Sequence, residues 1–176
     1  MTLRGREVAG GDGYNAAVAR LYLVTDPDVD PDTFGLGTLD ITGPGAVPDE
    51  LVGIFHAEGQ MGPEIEGDLS GFLRYADSVS PGNAEGCDPF PPDVFVDAVA
   101  LIERGGCNFA DKVGHASDAG ALAAVVYNNQ GNELVTMTGD PQPIASTFIG
   151  EDDGWNVVDW ILDNPGQVTV TIHPAQ

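Results

Sequence analysis

Lysine is almost absent from this chain. One Lys and five Arg stand against 28 Asp and Glu in 176 residues, a formal net charge of -22. That balance excludes nucleic acid as a partner, because binding to it rests on basic side chains neutralising phosphates, and an anionic membrane surface would repel the chain for the same reason. What remains is an acidic, well-solvated surface suited to a saline medium, or cation binding. Long apolar runs are missing too. Nothing approaches the roughly 18 consecutive apolar residues of a membrane helix, and MTLRGREVAGGDG has no apolar stretch like that of a signal peptide, so Met1 reads as a start from which any leader has been trimmed. Cysteine is scarce, with only Cys87 and Cys107. Two thiols give poor support for a four-ligand structural zinc site and allow at most one intrachain disulfide. Closed, its loop of about 20 residues would contribute roughly 3 kcal/mol in the chain-entropy model. A disulfide implies an oxidising compartment, in tension with the missing signal.

What is present is enough for a folded domain. Leu, Ile, Val and Phe make up about a quarter of the chain, above the level near a fifth at which disorder sets in. The length fits one domain, with room for an appended subregion. Residues 17–24, AVARLYLV, predict a strand, followed by the loop TDPDVDPDTFGLG. GTLDITG and ELVGIFHAEG read as two further strands separated by Gly/Pro turns. Residues 58–71 are rich in Gly and acid before giving way to GFLRYAD, and SPGNAEGCDPFPPD, with four prolines, can only be loop. VFVDAVALIE then reads as a largely buried strand stopping at Arg104-Gly105-Gly106. Asn108 is placed to cap a helix, with Asp111 near the positive end of its dipole. Phe109, Val113, Ala116 and Gly120 form one stripe, and LAAVVY supplies a second buried strand, so the order is strand, helix, strand in a parallel crossover. IASTFIG predicts another strand. Gly150 opens a helix whose apolar face is Trp155, Val158, Ile161 and Leu162, stopped at Asn164-Pro165-Gly166. QVTVTIH closes as a half-buried strand, with Val168, Val170 and Ile172 alternating.

The glycine turn before a helix suggests a phosphate cradle, but RGGCNF has neither GxGxxG nor the Walker spacing. Cys107 beside a helix start and Arg104 could be an activated thiolate; the alternative is a disulfide to Cys87, favoured because these are the only cysteines and one lies in a loop. His115 lies roughly 12 Å of helical rise from Cys107, too far into the helix to serve it as a base. His56, His115 and His173 are scattered, with no HExxH, and DLSGF around Ser70 lacks the first glycine of a nucleophile elbow. Asp26, Asp28, Asp30 and Asp32 alternate in DPDVDPDTFG and offer the hard oxygen ligands that calcium prefers, although two prolines interrupt them and no Glu closes the loop. The other reading is a solvated acidic turn.

ALIERGGCNFADKVGHASDAGALAAVVYNN resembles the signature of the protease-associated (PA) domain family: an apolar strand, an Arg-Gly-x-Cys-x-Phe turn, a helix with Lys then Ala, an Ala-Gly-Ala close and a strand ending in Asn. These fall on Ala100–Ile102, Arg104, Gly105, Cys107, Phe109, Lys112, Ala116, Ala119–Ala121 and Val125–Asn129. EGCDPF at 85–90 is similar to the family's upstream Gly-Cys loop, and FIGEDDGWNVVDWI to its late strand and helix. The match is specific over 85–172, weaker over 52–84 and absent over 1–50. Glu103 stands where Asp is frequent, Asp97-Ala98 replaces a frequent Gly-Lys, and Ile144-Ala145 lacks a usual proline.

The resemblance implies an α+β, β/β/α swivelling fold: a β-rich core, two main flanking helices and extra N-terminal strands. Residues 1–50 would form an extension with added strands and an acidic loop, and 51–176 the PA domain. It implies a disulfide between Cys87 and Cys107. It further implies a secreted, non-catalytic module, not itself an enzyme, of a peptidase or other extracellular hydrolase. Such a module binds protein or peptide, or gates substrate access. The acidic composition and the lack of long apolar runs add the expectation of no nucleic acid and no membrane insertion, and the residues offer no cofactor, unless calcium on the Asp26–Asp32 loop. The expected contact surface is Arg104, Gly105, Gly106, Asn108, Phe109, Asn128 and Asn129, with the loops at 128–143, since loops on a rigid scaffold usually carry binding. Arg104 leads as one of few cations, with a planar fork for carboxylates or carbonyls. Satisfying local carbonyls is its other reading. The rivals are a calcium-stabilised structural module and a metal-dependent hydrolase.

Overall fold

The computed structural model of the protein describes residues 36–175. The expected strand at 17–24 and the candidate calcium ligands Asp26, Asp28, Asp30 and Asp32 lie outside the described residues. Seven strands follow in chain order: β1 Leu36–Thr42, β2 Val52–Glu58, β3 Leu69–Tyr75, β4 Ala98–Glu103, β5 Ala123–Tyr127, β6 Ala145–Ile149 and β7 Thr169–His173. Among the described residues, three helices, α1 Ala76–Val79, α2 Phe109–Asp118 and α3 Glu151–Asp163, and a short 3-10 turn at Asp49–Leu51 accompany them.

The strands close into a barrel in the order β1-β2-β6-β5-β4-β3-β7. β3, β4, β5 and β6 are parallel neighbours, in register as Leu73↔Val99, Val99↔Ala123 and Ala123↔Ala145, and the remaining pairs are antiparallel. The expected crossover is therefore β4-α2-β5.

The unbroken apolar run of β4 has a simple cause: both of its faces are covered. Val99 and Leu101 point into a cluster to which every strand contributes, the barrel interior. Ala100 and Ile102 point outward into a second cluster with Val113 and Ala116 of α2. β5 divides the same way, with Ala123, Val125 and Tyr127 inward and Ala124 and Val126 outward. Small residues at 100, 110, 116 and 124 let α2 lie close to the sheet.

Several local expectations change. The strand read from residue 94 starts only at Ala98, because Asp93 and Asp97 adopt φ of 62° and 57°, a left-handed backbone that cannot continue a strand. β3 carried no strand expectation: Ser70, Gly71 and Arg74 dilute its apolar signal, and pairing with β4 and β7 decides it. Asn108 sits at the N-cap of α2 with extended backbone, but its side chain makes no capping bond. The helix ends where expected, Gly120 having φ of 89°.

α3 is turned relative to its predicted face. Val157, Val158 and Ile161 are buried, whereas Trp155 is 44% and Leu162 57% exposed. The pivot is Gly154, which rests against the Tyr127 ring so closely that a Cβ would overlap it. Gly154→Ala is expected to destabilise the fold by up to about 2 kcal/mol: overpacking costs roughly 1 to 3, and alanine's better helix propensity returns about 1. Urea unfolding of the variant checks this. A gain in stability would show that Tyr127 yields freely.

Candidate functional site

Strand order places Arg104 beyond the carboxyl end of β4 and Asn128 and Asn129 beyond that of β5. The turn between β4 and α2 needs its two glycines, with φ of 130° at Gly105 and 68° at Gly106. A side chain at either position would also overlap the Glu85 carboxylate, which lies across the turn. The two loops are joined covalently by the Cys87–Cys107 disulfide, with Cα atoms 5.6 Å apart. Of the two readings of Cys107 the disulfide is the one realised, so there is no thiolate nucleophile at the helix start.

Lys112, the chain's sole lysine, is fully buried beneath this double loop. Its ammonium donates to the Glu85 carbonyl and to the Gly105 carbonyl (2.5 Å), and lies 3.7 Å from Cys87 Sγ. Burial lowers its pKa, and the charges of Glu85, Glu103 and Asp111 partly counter that. His115 Nδ1 bonds the Gly86 carbonyl at 2.9 Å. Two cationic or polar side chains from one face of α2 thus hold the backbone of 85–86 and 105. Their structural role was not read from the sequence. The available signal was a lone lysine on an otherwise apolar helix face.

Arg104 is half-buried. Its backbone N–H donates to Tyr127 O and its Nη1 to Asn128 Oδ1, both at 2.9 Å, leaving the rest of the planar fork open to the groove. Asn128 is buried; Oδ1 also accepts from the N–H groups of Asn129 and Gln130, and Nδ2 donates to Glu133 O. It knots the following loop and positions Arg104. Asn129 lies beside Gly105, with Oδ1 buried and unbonded. Phe109 packs edge-on against Phe148, ring centroids 5.8 Å apart, while Asn108 is exposed.

Arg104, Gly105, Gly106, Asn108 and Phe109 come together along an open groove of about 660 Å³, whose opposite wall is Thr138, Gly139 and Asp140. Asn128 and Asn129 stand behind it. The loop wall at 138–140 lies within the expected 128–143 region, but no individual residue there was singled out. The Arg104 guanidinium and the Asp111 carboxylate on one side, with the Asp140 carboxylate on the other, give the groove groups that can grip both signs of charge and backbone amides.

The histidines do not converge. His56, fully buried, shares Nε2 with the His173 carbonyl at 3.1 Å. His173 bridges Asp68 (2.8 Å) and Asp40 (3.3 Å), and bonding to Asp68 raises its pKa. Ser70 bonds Thr171 at 2.9 Å. Among the described residues, no three His, Cys, Asp or Glu side chains are grouped to hold a metal ion. Among them, too, no helix is long and apolar enough to cross a membrane.

The family model of the PA domain matches residues 69–157, just over half of the chain. This chain belongs to the PA domain family. The matched PA segment runs from β3 through the disulfide-tied turn and the β4-α2-β5 crossover to the middle of α3, so it contains the whole Arg104 side of the groove. Leucine aminopeptidase 2 of Trichophyton equinum is 33% identical over 76 residues, which are 42% of this chain and 15% of that protein. Vacuolar-sorting receptor 7 of Arabidopsis thaliana is 39% identical over 75 residues, 43% of this chain and 12% of the receptor. Among solved structures, an aminopeptidase from Aneurinibacillus sp. strain AM-1 aligns with a TM-score of 0.56 at 23% identity, covering 79% of this chain and 30% of the enzyme. That likeness shows a shared fold. The chain spans less than a third of each of these proteins.

Proposed function

We propose that this PA domain is a non-catalytic interaction module of an extracellular peptidase, binding polypeptide in the Arg104 groove or controlling what reaches the catalytic domain. The observation that carries the reading is the groove itself. Its Arg104 wall is fixed by a disulfide, a buried lysine and a buried asparagine, while the guanidinium, bonded through Nη1, keeps further donors on a side chain that lines the groove. Such preorganisation reduces the entropy lost on binding. A peptidase parent is supported by the similarity to leucine aminopeptidase 2, and an oxidising, secreted setting by the disulfide. Arg104 combines the two roles weighed for it: one N–H ties Asn128, and the remaining ones would meet a ligand carboxylate or carbonyl.

The test is to incubate the chain with a diverse library of peptides and unfolded proteins, scoring retention and cleavage in the same samples. Selective retention without cleavage is expected. Arg104→Ala should weaken it by about ten- to a hundred-fold, the loss of one charge-assisted bond pair of roughly 1.5 to 3 kcal/mol. Unchanged retention in the variant would remove Arg104 from the site, and chelator-sensitive cleavage would replace the module by an enzyme.

A further inference from the structure

Because β3, β4, β5 and β6 run parallel, the barrel has two separate ends. The Arg104 groove lies at the carboxyl ends. At the amino ends, about 16 Å away along a five-residue strand, lies a second groove of about 360 Å³. Its apolar surface comes from Ile65, Leu69, Leu122 and Ile144. Leu122 is 41% exposed. It is also fixed in place: its N–H donates to Ala98 O at 2.8 Å, and its side chain lies over Gly71, where any Cβ would crowd it.

The edge of this groove is acidic. Glu64 and Glu66 are exposed, and Asp68 is shared with His173. Among the described residues, the other cations are engaged elsewhere: Arg74 with Val94 O, Arg104 with Asn128, and Lys112 with Glu85 and Gly105. An apolar floor beside uncompensated carboxylates selects by charge. A second copy of the chain would bring the same acidic edge and a further net charge of -22, and an anionic lipid surface would be repelled likewise.

We propose that this amino-terminal end of the barrel is a second docking surface, which takes an apolar side chain flanked by lysine or arginine from a partner polypeptide. The apolar side chain enters over Leu122 and Leu69. The flanking cations meet Glu64 and Glu66, contributing mainly specificity and association rate.

Fluorescence anisotropy with the full chain tests this, using a labelled Gly-Lys-Leu-Leu-Lys-Gly peptide and its counterpart with glutamate in place of lysine. The lysine peptide should bind at least ten-fold more tightly, and added salt should weaken it. Leu122→Asp, an exposed position, should weaken binding ten-fold or more. The Glu64→Lys/Glu66→Lys pair should invert the preference toward the glutamate peptide, a gain that misfolding cannot produce. Arg104→Ala should leave all of this unchanged. Equal affinity for both peptides, or binding that survives Leu122→Asp, overturns the proposal. Self-association in sedimentation that Leu122→Asp abolishes would give the groove to a second copy and overturn it too.

Discussion

Replacing Cys87 and Cys107 together by serine is expected to lower the unfolding free energy by about 3 kcal/mol, the loop-closure entropy of a cross-link spanning about 20 residues. The loss should appear as a midpoint drop of about 10 °C for a domain of this size. The disulfide does not act alone. Lys112 reaches across it to the carbonyls of Glu85 and Gly105, one from each bridged loop. Lys112→Met keeps much of the side-chain volume but leaves both acceptors without their donor, a penalty of roughly 1 to 3 kcal/mol for each. Removing a desolvated ammonium returns part of that, since burial disfavours its charged form. A net loss of about 2 to 3 kcal/mol is expected in the disulfide-bonded protein. In the Cys-free background the 85–87 loop can move and hydrate its own carbonyl, so the same substitution should cost at least about 1 kcal/mol less. A double-mutant cycle by urea denaturation measures that coupling. Strict additivity would show that lysine and disulfide stabilise independently, and the picture of one jointly fixed groove wall would fail.

This coupling also explains which parts of the site were legible in the sequence. The turn residues Arg104 to Phe109 announce themselves because glycine, cysteine and a cap-position asparagine occur in a spacing that has few other uses. The doubly covered strands are visible for an equally local reason: AVALIE and AAVVY are apolar on both faces, which only burial on both sides explains. What remained hidden depends on contacts between distant segments. β3 becomes a strand through its partners β4 and β7, paired as Phe72↔Ala98 and Leu69↔Ile172, far along the chain in both cases. The orientation of α3 depends on Gly154 meeting Tyr127, so periodicity alone selected Trp155 and Leu162, which the fold leaves exposed. Asn128 looked like a ligand-binding asparagine at a strand end. Its side chain instead closes four hydrogen bonds within its own loop and to Arg104, something no spacing rule records. Lys112 carried no structural reading of its own, because lysine is almost never fully buried without partners, and its partners are backbone carbonyls contributed by two other loops.

The second large effect is a loss of stability on mild acidification, traced to His56. Its Nε2 faces a carbonyl, that of His173, and so must carry the proton; the neutral ring then has its bare nitrogen at Nδ1, buried and without a partner. Charging the ring would place an unpaired N–H and a full charge inside the protein, and burial accordingly pulls its pKa down to about 4 from an ordinary 6.5. In the unfolded chain His56 takes up a proton below pH 6.5, whereas the folded protein resists until about 4. Its contribution to stability is therefore complete above pH 6.5 and is lost as pH falls toward 4, a total of about 3 kcal/mol. His173 acts in the other direction. Its pKa is raised by Asp68 and Asp40, so its contribution is complete below pH 6.5 and fades as pH rises through its folded value. From these two groups stability should be greatest near pH 6.5. Urea midpoints across pH 4.5 to 8 should fall on the acid side in the native protein. His56→Gln, which cannot titrate, should flatten the acid limb while leaving the alkaline decline intact, and Asp68→Asn should flatten only the alkaline one. An acid limb that persists in His56→Gln would assign the loss to carboxylates instead. Gly37 adds a steric check on the same assembly. Any Cβ there would overlap His56 Nε2 and the His173 carbonyl together, so Gly37→Ala should displace the ring from its only bond and reduce the acid sensitivity along with the stability.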